Sequence, residues 1–170
     1  VLIDKLKLIE IAFNLTKEGI IISDSDGVIV FTNISIENYF GYKSEDLIGK
    51  NIEILIPKPF KREHQSHFDF YMRDMSYLKN SNYREVMGLN NLGVEIPLEI
   101  RLNLFSYEDK KYAIAFIIDI TLRKEKENES QIEKMQLEEI VKDSSTELQR
   151  VVKQLQKTNK ELELEIKRKI

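Results

Sequence analysis

The chain has 170 residues, with 26 Lys+Arg, 29 Asp+Glu, two His, no Cys and no Trp, and a formal net charge of -3. Without cysteine there is no disulfide, no thiolate zinc site, no Cys nucleophile, no iron–sulfur cluster and no flavin–thiol photochemistry. The charge gives no footprint for nucleic acid, which calls for a basic face, and any imidazole chemistry is confined to His64 and His67.

In chain order, Leu2, Leu6, Ile9 and Phe13 recur at spacings of 4, 3 and 4, which predicts an amphipathic helix within residues 1–17. The β-rich run Gly19–Ser23, the tight turn Asp24-Ser25-Asp26-Gly27 and the returning run Val28–Thr32 predict a hairpin. Asn33 to Ile56 reads as short helices broken at Gly41 and Gly49. Ser44 is the expected N-cap of one, with Glu45 and Asp46 in its first turn. Pro57-Lys58-Pro59 stops this stretch and starts a longer helix to about Asp74.

Three strands should follow, Tyr83–Leu89, Val94–Leu104 and Tyr112–Ile120, the first two joined by the turn Asn90-Asn91-Leu92-Gly93. In the second, Ile96, Leu98, Ile100, Leu102 and Leu104 alternate with Pro97, Glu99, Arg101 and Asn103, the pattern of a half-buried strand. The third is apolar on both faces. Ile114, Phe116 and Ile118 form one row, and Ala113, Ala115 and Ile117 the other; a strand covered on both faces needs something beyond its own core, which the N-terminal helix or a partner subunit could supply. The predicted fold class is α+β: a five-stranded antiparallel sheet with the helices between strands two and three.

All glycines and prolines lie before residue 98, and residues 122–170 hold 12 Lys+Arg and 11 Asp+Glu. The expected organisation is therefore a helix over 1–17, a compact domain over 18–121 and a long polar helix over 122–170. That tail, at about 1.5 Å per residue, would span roughly 74 Å. Leu148, Val152, Leu155, Asn159, Leu162 and Ile166 repeat at 4, 3, 4, 3, 4, a heptad seam with Asn159 at an a position. A lone Asn there favours a parallel, in-register dimer. The seam weakens upstream, where Leu137 and Val141 are followed by Ser144 and Ser145. Ser144-x-x-Glu147 also fits a capping box, which would make the tail a helical hairpin or leave it with a frayed end. The longest apolar run, Tyr112 to Ile118, is seven residues, against about 20 for a membrane-spanning helix. The chain opens on Val1 without a signal-peptide pattern. It is expected to be cut from a longer protein, with this segment cytoplasmic and free of membrane contact.

Phe31-Thr32-Asn33, Phe40-Gly41-Tyr42 with Ser44-x-x-Leu47-Ile48-Gly49, Asn91-Leu92-Gly93 and Asp119-Ile120-Thr121 stand in the order and spacing of a PAS domain, which residues 5–121 resemble. Ile56-Pro57-Lys58-Pro59-Phe60-x-x-Glu63-His64, then Phe68, Tyr71 and Arg84-Glu85-Val86-x-Gly88, further resemble the oxygen-sensing haem PAS domains of FixL-type sensor histidine kinases. The resemblance implies that His64 ligates haem iron, that Arg84 reaches the distal side, and that Ile100 and Leu102 are apolar distal residues. Three positions depart from that family. Phe70 stands where it has a basic residue, Leu78 where it has a further histidine, and the polar Lys79-Asn80-Ser81-Asn82-Tyr83 where it has an apolar, glycine-containing segment. The reactive cysteine of flavin-binding relatives is matched by Ile52.

Read from the residues alone, Phe60, His64, His67, Phe68, Tyr71 and Met75 share one face of the helix after Pro59. A neutral imidazole in such a wall can bind iron through one nitrogen while a carbonyl or carboxylate fixes the other. Arg84 can hydrogen-bond a ligand on the iron or pair with a propionate. Haem, another small ligand, and a core histidine without a cofactor are all open on this reading. His67 reads as solvent-facing, and a zinc pair of His64 and His67 has no third ligand in view. No catalytic motif is present, and the carboxylates read as solvated charges.

Asp119 and Thr121, with Thr121 as N-cap, join the last strand to the tail helix and are the expected route of signal transmission, ending at the Asn159 seam. Asp119 is also placed to pair with Arg123 or Lys124. The partners expected are a second copy, met through the N-terminal helix, the outer sheet face and the coiled coil, and an effector domain of the same protein.

Overall fold

The computed structural model describes residues 5–73 and 83–169. Leu2, Asp74, Met75, Leu78 and Lys79 to Asn82, which entered the sequence reading, lie outside the described residues. The chain divides into two compact units, Val1–Leu122 and Arg123–Ile170.

In the first unit, helix α1 (Lys5–Leu15) precedes strands β1 (Gly19–Asp24) and β2 (Ile29–Thr32). The turn between the strands is held by the Asp24 carboxylate, whose Oδ1 accepts from the N–H of Asp26 at 3.0 Å and of Val28 at 2.9 Å. Helix α2 (Ile34–Phe40) ends at Gly41, which adopts φ 73° and donates its N–H to Glu37. That left-handed conformation is cheap only for glycine. Helix α3 (Ser44–Leu47) departs from expectation at its start. Ser44 is the first helical residue and not the cap; Lys43 holds the cap position without a side-chain bond. Glu37 serves the free amide instead, its carboxylate accepting from the Ser44 N–H at 2.9 Å. A carboxylate is a stronger acceptor than a hydroxyl, and this bond is the first cause of the lowered pKa of Glu37.

Two 3-10 turns, Ile52–Leu55 and Lys58–Phe60, lead into helix α4 (Lys61–Arg73). Because the turn after Pro57 is 3-10, α4 starts later than Pro59. Phe60 falls out of helical register and is 45% exposed, so it does not join the face assigned to it.

Strands β3 (Arg84–Leu89), β4 (Glu95–Tyr107) and β5 (Lys110–Asp119) complete an antiparallel sheet of order β2-β1-β5-β4-β3. β4 and β5 run further toward each other than expected. Tyr107 pairs with Lys110, leaving a two-residue turn in which Glu108 has φ 47° and Asp109 φ 59°. Two central residues at positive φ make the turn whose twist matches its strands.

The inner face of the sheet carries the core: Ile21, Ile29, Leu98 and Ile117 meet Ile36, Phe40, Leu47 and Leu55. Gly88 permits it, since a Cβ there would lie 2.5 Å from Leu98 and 2.9 Å from the Phe40 ring. Asn91 locks the β3–β4 turn to α2: its N–H donates to the Phe40 carbonyl at 2.9 Å, and its amide to the Gly41 carbonyl at 2.6 Å.

On the outer face, α1 gives partial cover, with Phe13 edge-on to Phe31 at 5.8 Å. The Arg101 guanidinium lies over the rings of Tyr83 at 5.2 Å and Phe116 at 5.1 Å. Asn33, 1% exposed, ties α1 down. It accepts from the Ile20 N–H at 2.8 Å and donates to the carbonyls of Phe13 at 2.8 Å and Glu18 at 2.9 Å.

Helix α5 (Thr121–Lys169) is unbroken over 49 residues, so the tail is one helix rather than a hairpin. Ser144 and Ser145 stay helical, and the Thr146 hydroxyl donates back to the Lys142 carbonyl at 2.9 Å. Leu148, Val152, Leu155, Leu162 and Ile166 are all at least half exposed along it.

Candidate functional site

A cavity lies between α4 and the inner face of the sheet. α4 contributes His64, Phe68, Tyr71 and Met72; the sheet contributes Ile21, Ser23, Leu102, Leu104, Ala113 and Ala115, with Ile52 at the margin. Strand alternation explains the floor. The pairs Ile21–Ala115, Ser23–Ala113, Leu102–Ala115 and Leu104–Ala113 put these side chains on one face, and the two alanines leave the space.

His64 stands at one side. Its Nδ1 is buried and lies 3.8 Å from Glu53 Oε1, also buried, and neither atom has a hydrogen-bond partner. The separation is too long for a hydrogen bond but close enough for the charge to act. Burial pushes the His64 pKa below its ordinary 6.5, and the Glu53 carboxylate pulls it partly back. The imidazole is therefore neutral at pH 7, the form that binds metals. Glu53 is the carboxylate nearest that nitrogen, without bonding it. It is carried by the 3-10 turn that Asn51 caps, accepting the Glu53 N–H at 3.0 Å.

Arg84 pairs with Ile100 across the ladder and so belongs to the inner face. It donates to the Tyr71 hydroxyl at 2.7 Å. Leu102 lines the cavity, whereas Ile100 packs against the main core. His67 is exposed, its ring 6.4 Å from Tyr71. Phe70 is 47% exposed. Among the described residues no three His, Cys, Asp or Glu gather to hold a metal ion. One contact has no signal in the sequence: Lys111 Nζ donates to the Met72 carbonyl at 2.8 Å.

The donors suit a haem better than the space does. The cavity volume is 50 Å³, where a water's share of the liquid is about 30 Å³ and pockets for larger ligands run to roughly 300–1,000 Å³. The closed cavity takes a water or a ligand of a few atoms and does not fit a porphyrin.

β5 runs from this cavity to the junction with α5. Asp119 Oδ1 accepts from the Thr121 N–H at 2.8 Å and from its hydroxyl at 2.6 Å. Thr121 is thus the first helical residue and a donor to Asp119, not the cap; a carboxylate at a helix N-terminus also complements the dipole. Further along α5, Arg123 and Lys124 both approach Glu127, at 3.9 and 3.7 Å. Tyr39 marks the same region. Its hydroxyl donates to the Lys17 carbonyl. Burial raises its pKa, while the nearby Asp119 peptide N–H acts in the opposite direction. Asn159 lies far along α5, within its exposed seam.

No helix among the described residues is long and apolar enough to cross a membrane. The sequence model described as PAS domain matches residues 17–122. Two similar proteins are the Sensor protein FixL of Bradyrhizobium diazoefficiens and the Oxygen sensor protein DosP of Escherichia coli. The first is 25% identical over 104 residues, covering 61% of this chain and 21% of FixL. The second is 28% identical over 104 residues, covering 61% of this chain and 13% of DosP. This chain thus spans about a fifth or less of either relative. Among solved structures, the PAS domain of a protein from Colwellia psychrerythraea superposes with a TM-score of 0.59 at 22% identity, covering 69% of this chain and 98% of that one.

Proposed function

This chain belongs to the PAS domain family, and from that premise we propose that it is the sensory and dimerisation module of a larger signal-transduction protein, a cytoplasmic two-component sensor histidine kinase. One observation carries the reading: β5 supplies Ala113 and Ala115 to the cavity floor and ends at Asp119, whose carboxylate holds the first residue of α5. A change in the cavity strains the strand that starts the output helix. Two copies pair through α1, the outer sheet face and the exposed α5 seam, with Asn159 setting a parallel register. The signal is then a shift between two packings of that coil, eased by its weak stretch at Ser144 and Ser145. Catalysis belongs to an effector elsewhere in the same protein.

The test uses the full-length protein. Asp119→Ala should abolish the response of the effector to the signal while leaving the effector folded and basally active. Replacing Ser144 with Leu and Ser145 with Val should lock the coil in one state. A response unchanged in both would overturn the reading.

A haem-based form of this function, sensing oxygen as DosP is named for doing, is favoured by the half-buried His64, whose pKa burial lowers, with a carboxylate 3.8 Å from its buried Nδ1. When bound, haem would supply an iron centre for a gas, held by His64, with Arg84, Phe68, Tyr71 and Leu102 around it. α4 would first have to stand away from the sheet. Purified protein with added haemin should show a Soret band that His64→Ala loses. If wild type shows none, the ligand-free alternative stands, a dimerisation module regulating a kinase or a cyclase.

A further inference from the structure

α4 is held differently from the helices on the other half of the sheet. Of its 13 residues, the buried one is Met72. Its first turn follows the buried Pro57, and there His64 Nδ1 stands 3.8 Å from Glu53, beyond hydrogen-bond reach. At its last turn two donors on the sheet reach across. Lys111 of β5 meets the Met72 carbonyl at 2.8 Å, and Arg84 of β3 meets the Tyr71 hydroxyl at 2.7 Å. A cation at a carbonyl toward the C-terminal end of a helix complements the dipole. The Lys111 contact thus gives the carbonyl of the buried Met72 a charged donor from the sheet.

We propose that α4 is a latched lid, hinged at Pro57 and closed at its far end by Lys111. The grip of that ammonium on the Met72 carbonyl sets how often the cavity opens to an apolar ligand larger than its closed volume. Arg84 and Tyr71 form a secondary latch. The proposal rests on the cavity being the sensing site, and it adds the residue that governs entry. It also explains how entry is felt: Lys111 and Asp119 stand at opposite ends of β5. Lifting the lid therefore releases a load from the strand that starts α5.

Amide hydrogen exchange on the 170-residue chain tests this, with Lys111→Met keeping the aliphatic stem and removing the donor. Amides of residues 64–73 should exchange about tenfold faster, which is roughly 1.4 kcal/mol, the scale of a hydrogen bond to a charged group. Amides of β1 and α2 should keep their rates. Lys111→Arg should restore protection to within about twofold, and Tyr71→Phe should accelerate the same amides by a smaller factor. Lys111→Gln keeps a neutral donor and should fall between wild type and Lys111→Met, which gives a reading should the methionine variant not fold.

A second readout uses the absence of tryptophan. Phe68→Trp places a single indole on the cavity wall, and its quenching by acrylamide should rise when Lys111→Met is added. Unchanged exchange of residues 64–73, or acceleration shared equally by β1 and α2, overturns the latch. Both measurements use the chain by itself. A full-length protein that fails to signal would overturn the sensory reading and leave the lid result standing.

Discussion

One face of one sheet is covered in two ways. At the α2 end, Ile29, Ile36, Phe40 and Leu47 are at most 1% exposed, and Asn33 spends both ends of its amide on three backbone partners. At the α4 end, the covering helix buries Met72, leaves Phe70 half exposed, and leaves two polar atoms without partners. The first half has full burial and complete hydrogen bonding, the conditions for a stable unit. The second has a cavity, two buried polar atoms without hydrogen-bond partners and a helix whose buried residue is Met72, the conditions for local opening at low cost. A sensor needs both: a rigid half to hold the strands in register and a soft half to respond.

The largest effect should come from the rigid half. Phe40→Ala removes a ring packed against Gly88 and Leu98 and should cost about 3–5 kcal/mol in urea unfolding. Asn33→Ala leaves the Ile20 N–H and two carbonyls without their partner. It should cost at least about 2 kcal/mol and speed exchange in α1 before the sheet. Phe68→Ala, on the soft half, should cost only about 1 kcal/mol, because the ring already borders empty space. If Phe40→Ala and Phe68→Ala cost the same, the contrast between the halves fails.

The smallest effect concerns pH. The folded pKa of His64 lies below 6.5, so in the window just beneath 6.5 the unfolded chain binds the proton and the folded chain does not. Stability should therefore be level above that window and fall as pH drops through it. His64→Leu should flatten the decline in melts taken from pH 7 to pH 5. A decline of equal slope in the variant would assign it to the carboxylates.

Much of the rigid half can be read from local pattern. The alternation of β4 gives its inner row directly, and Gly41 and the Asn90-Asn91-Leu92-Gly93 turn mark real chain reversals. The misses have physical causes. The Glu108-Asp109 turn carries no glycine or asparagine, so the two strands looked shorter than their ladder makes them. The cap of α3 comes from Glu37, seven residues before Ser44, where a local rule looks at Ser44 itself. Helical spacing finds His64, Phe68 and Tyr71, because side chains four and three apart share a face. Spacing cannot find Glu53 or Lys111, since these reach α4 from other elements; Lys111 is 39 residues from the carbonyl it holds. Helical spacing counted from Pro59 misplaces Phe60, because a 3-10 turn has a different period from the helix that follows it.

Gly19, at the start of β1, pairs with Ile117, near the end of β5, in the middle of the sheet. The polypeptide therefore enters and leaves the domain side by side, through one antiparallel ladder. Whatever is spliced before Gly19 and whatever is spliced after Asp119 are connected in series through a handful of shared hydrogen bonds. A domain wired this way can be inserted into a longer chain, or strung in tandem with others, without setting its neighbours far apart. A tug arriving from upstream would load the same ladder that an event in the cavity loads.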